Sequence, residues 1–120
     1  MPNYVDGFVL SVPKKNLAAY RRMARLSGKV WREHGALEYR ECLGDDLQKK
    51  WGIPFPKTVR SKRGEHVVFS WIAYRSRAHR DAVNAKVMKD PRLEKYMNQK
   101  KMPFDPRRMA YGGFRVFVDL

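Results

Sequence analysis

The chain reads as one α+β domain, residues 1–120, of the ferredoxin-like type: a four-stranded antiparallel sheet with two helices on one face, completed as a dimeric α+β barrel. Three observations lead there. Alternating apolar stretches at 4–12, 37–43, 66–74 and 108–119 have the period of half-buried strands. Two helical patterns, from Lys14 to His34 and after Ser76, divide them in the order β-α-β-β-α-β. All four strands carry large apolar groups at both parities, whereas two helices cover only one face of a sheet; the other face therefore requires a partner, and a second copy packing sheet to sheet supplies it.

Length and composition agree with a folded domain. The chain has 120 residues, 43% of them hydrophobic, with six Phe, six Tyr and three Trp. That is too much apolar surface for a disordered chain. One cysteine, Cys42, allows no intrachain disulfide and no cysteine-based zinc site. The N-terminus lacks the basic and apolar regions of a signal peptide, and no apolar run approaches the roughly 20 residues of a membrane span. The expected location is the cytoplasm. The net charge of +14 is spread over the whole chain and raises the question of a polyanion partner.

Taken in order, the first strand alternates about Phe8 and Leu10, and Pro13 closes it in a residue type suited to a helix start. In the first helix Leu17, Tyr20, Met23, Ala24, Leu26, Ser27, Val30 and Trp31 share one half of the wheel. Arg21, Arg22, Arg25, Lys29 and Arg32 share the other, and Gly35 stops the helix. The second strand puts Leu37, Tyr39, Glu41 and Leu43 on one face. Residues 47–64 read as a long loop whose only charged groups are Lys49, Lys50, Lys57, Arg60, Lys62 and Arg63; loops of this length are more often functional than plain connections. The third strand, within Glu65–Tyr74, is the longest apolar run and the predicted centre of the sheet. Val67, Phe69, Trp71 and Ala73 point one way from it, and His66, Val68, Ser70, Ile72 and Tyr74 the other. Ser76 is a suitable N-cap for the second helix, whose apolar arc holds Ala82, Val83 and Val87 and which Pro91 ends. Residues 91–107 read as irregular. The last strand contains Gly112-Gly113, a bulge or a close backbone approach.

Six residues are candidates for a pocket: Asp6, His66, Ser70, Tyr74, Arg80 and Asn84. His66, Ser70 and Tyr74 share a strand face and suit a cavity wall. His66 and Ser70 stand about 13 Å apart at 3.3 Å per residue, too far for one to activate the other. Asp6 reads either as a general base at a pocket mouth or as a carboxylate paired with an arginine such as Arg80 or Arg108. His34, His66 and His79 lack metal-ligand spacing, so neither a metal nor another cofactor is expected. The acids about Cys42 disfavour a reactive thiolate. For a polyanion, the candidates are Arg21, Arg25, Lys29 and Arg32 on the first helix with Lys49, Lys50, Lys57, Arg60, Lys62 and Arg63 in the loop. The glycine-aromatic signature of an RNA-recognition domain is missing from the third strand.

Several segments in combination resemble a known family. They are Tyr4-Val5-Asp6-Gly7-Phe8-Val9, Glu41-Cys42-Leu43-Gly44-Asp45-Asp46, Val67-Val68-Phe69-Ser70-Trp71-Ile72, the stretch from Arg80-Asp81 through Asn84 and Lys86-Val87-Met88 to Asp90-Pro91-Arg92, and Met102-Pro103-Phe104-Asp105 with Arg108-Met109 and Tyr111-Gly112-Gly113-Phe114. The chain is similar over nearly its whole length to the YbaA-like small bacterial proteins, domain of unknown function 1428. The resemblance implies the dimeric α+β barrel and no particular activity. The chain departs from the family's pattern in its basicity and at Leu43, where a Trp is common. Three functions follow as expectations: a homodimer, joined through the sheet face, with a small-molecule pocket between sheet and helices; a non-specific nucleic-acid or polyanion binder; and a structural or interaction protein without catalysis. No membrane partner is expected.

Overall fold

Strands β1 (Tyr4–Pro13) and β3 (Glu65–Tyr74) pair antiparallel along their whole length, from Tyr4 opposite Tyr74 to Pro13 opposite Glu65. Strand β2 (Glu38–Leu43) flanks β3, and β4 (Ala110–Arg115) flanks β1, giving the order β2-β3-β1-β4. The computed structural model describes residues 2–97 and 102–120. Helices α1 (Leu17–Glu33), α3 (Arg77–Met88) and α4 (Pro91–Met97) cover one face; a single-turn helix α2 (Phe55–Thr58) interrupts the long loop. The predicted α+β class, with a four-stranded antiparallel sheet covered by helices on one face, and the central place of β3 therefore hold.

The register decides which parity of each strand meets the helices. Tyr4, Leu10 and Val12 of β1 lie beside Val68, Ile72 and Tyr74 of β3 on the covered face, and all are buried. They form two clusters. One gathers Tyr4, Ile72 and Tyr74 with Val30, Val83, Val87 and Leu93; the other gathers Leu10, Val12 and Val68 with Tyr20 and Ala24. The opposite face carries Val5, Val9, Phe69, Trp71 and Phe114. Phe69 is 42% and Phe114 65% exposed there, so an apolar surface stands open to water.

Local chemistry explains most boundaries. Gly35 takes φ +116 directly after α1, a conformation that L side chains rarely adopt. The Ser76 hydroxyl accepts the His79 N–H at 3.0 Å and caps α3. Three expectations need correction, at residues 91–97, in the length of strand four and at Ala82. Residues 91–97 are helical rather than irregular: the Asp90 carboxylate accepts the Arg92 N–H at 3.0 Å, and Pro91 suits the first helical position. Asp-Pro, read as a stop, is also a start; residues 98–101 of the supposed irregular stretch lie outside the described residues. Strand four is shorter than 108–119, because 106–108 form a 3-10 turn and pairing with β1 ends at Arg115 opposite Tyr4. Gly112 and Gly113 form no bulge, since the register runs unbroken through them. Gly113 is instead a close approach: a Cβ there would stand 2.9 Å from Tyr4 Cζ. Ala82, assigned to the apolar arc of α3, is exposed.

Two polar groups in this framework give testable energetics. Ser11 is buried, and its Oγ has no hydrogen-bond partner among the described residues. An unsatisfied hydroxyl costs its desolvation, so Ser11→Ala is expected to raise unfolding stability by about 1 kcal/mol in urea titrations. A loss of that size instead would show the hydroxyl to be partnered. At the start of β3, Arg108 donates two hydrogen bonds to the Glu65 carboxylate, at 2.9 and 2.7 Å. These bonds hold the Glu65 pKa down at about 2. A carboxylate depressed on folding stabilises above its unfolded pKa and loses that contribution as pH falls through the folded value. Stability is therefore expected to drop by on the order of 2 kcal/mol between about pH 4.5 and pH 2 through this pair. Glu65→Gln should flatten that part of the profile; an unchanged acid limb would assign it to other groups.

Candidate functional site

On β2, Tyr39, Glu41 and Leu43 face the helix side, opposite Ile72, Ser70 and Val68. Tyr20, on the inner arc of α1, reaches the same point. Its hydroxyl donates to Glu41 Oε1 at 2.8 Å, and the Tyr39 hydroxyl donates to Glu41 Oε2 at 2.8 Å. Gly28 makes this possible: a Cβ there would stand 2.8 Å from Tyr39 Cδ1, so the glycine lets the ring lie against α1. A mid-helix glycine costs about 1 kcal/mol relative to alanine, which such packing offsets.

Glu41 separates two spaces. Behind it, a cavity of about 140 Å³ lies between the sheet and α1, lined by Phe8, Trp31, Ser70, Ile72, Phe104 and Met109 among others. In front, a groove of about 840 Å³ runs between α1 and the outer edge of β2. Its floor is largely apolar, with Leu17, Ala18, Ala24, Leu43 and Val68; Arg21, Arg22, Arg25, Lys29 and Arg32 also line it. Among the described residues none of these five cations lies within ion-pair distance of a carboxylate. Burial raises the Glu41 pKa, opposed by the two phenol donors. Burial, reinforced by Glu41, pushes both tyrosine hydroxyls far above their usual range, so they remain donors. The arrangement is a carboxylate poised as a hydrogen-bond or proton acceptor at the back of an apolar groove, with positive charge along it.

The structure brings only one of the six pocket candidates to this place, Ser70, which lines the inner cavity. Four others form two separate hydrogen-bonded groups beside α3. Arg80 Nη1 donates to Asp6 Oδ1 at 2.6 Å, and its guanidinium lies 5.0 Å from the Tyr4 ring centroid. Asn84 Oδ1 accepts from Trp31 Nε1 at 3.0 Å and from the Tyr74 hydroxyl at 3.3 Å. Burial outweighs Arg80 and raises the Asp6 pKa. Asp6, Tyr74, Arg80 and Asn84 thus have their polar groups engaged with one another and with the core, and line neither space; Asp6 takes the arginine-paired role, with Arg80 rather than Arg108. His66 lies opposite Val12, at the far end of the same strand face, and lines neither space. The helix cations Arg21, Arg25, Lys29 and Arg32 border the groove. The loop that holds Lys49, Lys50, Lys57, Arg60, Lys62 and Arg63 instead sends Phe55 onto the open face, its ring centroid 6.2 Å from that of Phe69.

Glu41, Tyr20 and Tyr39 were absent from the sequence-based site. A signal existed, since Tyr39 and Glu41 share a strand parity and Tyr20 lies on the apolar arc of α1. Nothing along the chain, however, indicated that this arc would pack against that strand.

Residues 3–106 match the family described as "Protein of unknown function (DUF1428)". The chain belongs to this family. Its DUF1428 relatives include the "Uncharacterized protein YbaA" of Escherichia coli K12, 44% identical over 116 residues and covering 97% of each chain, and that of Shigella flexneri, with the same identity and coverage. The family resemblance read from the sequence is thereby established. Among solved structures, an uncharacterized NIPSNAP domain protein from Burkholderia xenovorans superposes with a TM-score of 0.50 at 13% identity, covering 96% of this chain and 95% of that one. That likeness concerns the fold, which it shares with this DUF1428 chain. No helix among the described residues is long and apolar enough to cross a membrane.

Proposed function

We propose that this DUF1428 protein is a homodimer, joined through its open sheet face as an α+β barrel. Each subunit binds a small organic anion with an apolar body in the groove beside Glu41. The groove itself carries the reading: about 840 Å³ with an apolar floor, five cations that lack a carboxylate partner among the described residues, and the Glu41 carboxylate as an acceptor. Small-molecule sites span roughly 300–1,000 Å³ and combine such walls with a few placed polar groups. The dimer is supported by the row of Phe69, Trp71 and Phe114 on the open face, next to exposed Phe55. An exposed lone cysteine suits the reducing cytoplasm.

Anilinonaphthalene sulfonate, an aromatic anion whose fluorescence reports an apolar site, tests the groove. Reversing Arg25 and Lys29 together to Glu is expected to weaken its binding at least about tenfold, or 1.4 kcal/mol. An unchanged dissociation constant in that variant would remove the groove as the site. A second reading, polyanion binding by the same helix face, is favoured by the unpaired state of its cations. A labelled DNA duplex titrated at several salt concentrations decides it: affinity weaker than about 10⁻⁴ M at physiological salt rules it out.

A further inference from the structure

After β4 the chain leaves the sheet. Val116 still donates its N–H to the Asn3 carbonyl at 2.9 Å, but residues 116–120 form no strand. Phe117 is 91% exposed, with Val118 and Leu120 exposed beside it. At the other edge of the sheet, β2 pairs only with β3, so its outer backbone edge is free among the described residues. That free edge borders the 840 Å³ groove. An unpaired strand edge beside an apolar groove is the geometry in which an extended segment adds as a further strand, its main chain bonding to the edge and alternate side chains entering the groove.

We infer that residues 116–120 of one copy add to the free edge of β2 of a second copy, with Phe117 over the groove and Asp119 against its cations. This rests on the sheet-to-sheet dimer proposed above. Side-chain parity supports the occupant. Phe114 lies on the open face and Arg115 on the helix face, so in an extended continuation Val116 and Val118 share the open side and Phe117 and Asp119 the helix side. A strand passing from one sheet to the next around a closed barrel keeps its inner side inside. On β2 of the second copy, Phe117 and Asp119 therefore fall on the side of Tyr39, Glu41 and Leu43, where the groove lies. Charge agrees: Asp119 is the only charged residue in the segment, and the groove offers five cations without carboxylate partners among the described residues. The chain's own tail does not serve. β4 and β2 stand three interstrand spacings apart, roughly 14 Å, and crossing that distance at about 3.3 Å per residue uses about four of residues 116–120, too many for this segment to run along β2 of its own subunit. One phenyl ring is far smaller than the groove, so the segment roofs it. Each Glu41 site is then completed by the other subunit.

Cys42, the single cysteine, makes a direct test. It lies on the open face of β2, opposite Phe69. In an added strand, Val116 or Val118 comes beside it, within the 4.4–6.8 Å Cα separation that a disulfide tolerates, or about one strand spacing. Phe117 points away. Under mild oxidation, Val116→Cys or Val118→Cys in the full chain is expected to give a covalent dimer as the major species on a non-reducing gel. Phe117→Cys and the wild type should give little, and adding Cys42→Ser to the valine variants should abolish the product. Hydrogen exchange in residues 38–43 should be slow in the wild type and at least about tenfold faster when 116–120 are deleted. If neither valine variant cross-links, or Phe117→Cys does so as well, while sedimentation shows a dimer, the tail does not lie on β2 and the inference fails with the dimer reading intact. Sedimentation as a monomer removes both.

Discussion

Replacing Arg80 by methionine is expected to destabilise the protein by about 3 kcal/mol or more, the usual consequence of leaving a buried charge without its partner. Asp6 is 6% exposed at the centre of the sheet, and Arg80 Nη1, 2.6 Å away, is its cation. Burial already raises the Asp6 pKa above its ordinary value despite that arginine. Removing the arginine raises it further. A carboxyl whose folded pKa is raised stabilises below its unfolded pKa and loses that contribution as pH rises through the folded value. Arg80→Met should therefore be most destabilised near neutral pH and recover toward about pH 4, the ordinary range of a carboxyl group. Adding Asp6→Leu should restore much of the loss, because an apolar pair of similar shape is often neutral. Urea titrations across pH measure all three variants. The same experiment bears on function, because neither residue lines the groove: anilinonaphthalene sulfonate affinity should be unchanged in folded Arg80→Met. A specific loss of binding with stability intact would return Asp6 and Arg80 to the site.

The second large effect concerns the open face. Phe69→Asp is expected to dissociate the proposed dimer, because a two-fold interface carries every substitution twice. A hot-spot aromatic contributes about 2 kcal/mol or more, so two copies amount to roughly 4 kcal/mol, about a thousandfold in the dissociation constant. Phe69 is half exposed within the subunit and packs on Trp71 and Phe55, at centroid distances of 5.9 and 6.2 Å. The covered face and its clusters do not depend on it, so the variant should remain folded by circular dichroism. Sedimentation on dilution reads the dissociation. Wild-type protein already monomeric at micromolar concentration would overturn the interface.

Much of the fold was legible along the chain because its signals are local. Alternation about Phe8 and Leu10, the helical arc from Leu17 to Trp31, Gly35 after it and Ser76 before α3 all act within a few residues, and the elements form where they indicate. The misreadings were local ambiguities settled by distant partners. Asp90-Pro91 suits a stop or a start equally; the α4 reading prevails where Leu93 finds a place in the core with Val83 and Val87. Residues 116–119 have strand character, but β1 begins at Tyr4, and beyond the Val116 N–H bond to the Asn3 carbonyl the described residues offer no further pairing.

The candidate site is the less legible part. His66, Ser70 and Tyr74 do share a strand face, as alternation required, yet that face is spanned by core for most of its length, and only Ser70 meets a cavity. Side-chain periodicity by itself determined the four strands, the two main helices, their order and the two-faced character of Glu65–Tyr74, and the motif segments in combination carried the family resemblance. Only the tertiary structure decided that the parity of Val68, Ile72 and Tyr74 faces the helices and that of Phe69 and Trp71 lies open. It alone joined Tyr20 of α1 to Glu41 of β2, 21 residues apart, and matched Asp6 with Arg80 across 74. Period-two and period-3.6 patterns say which residues share a face; which faces meet depends on strand pairing and on the position of each helix over the sheet, and those contacts are non-local.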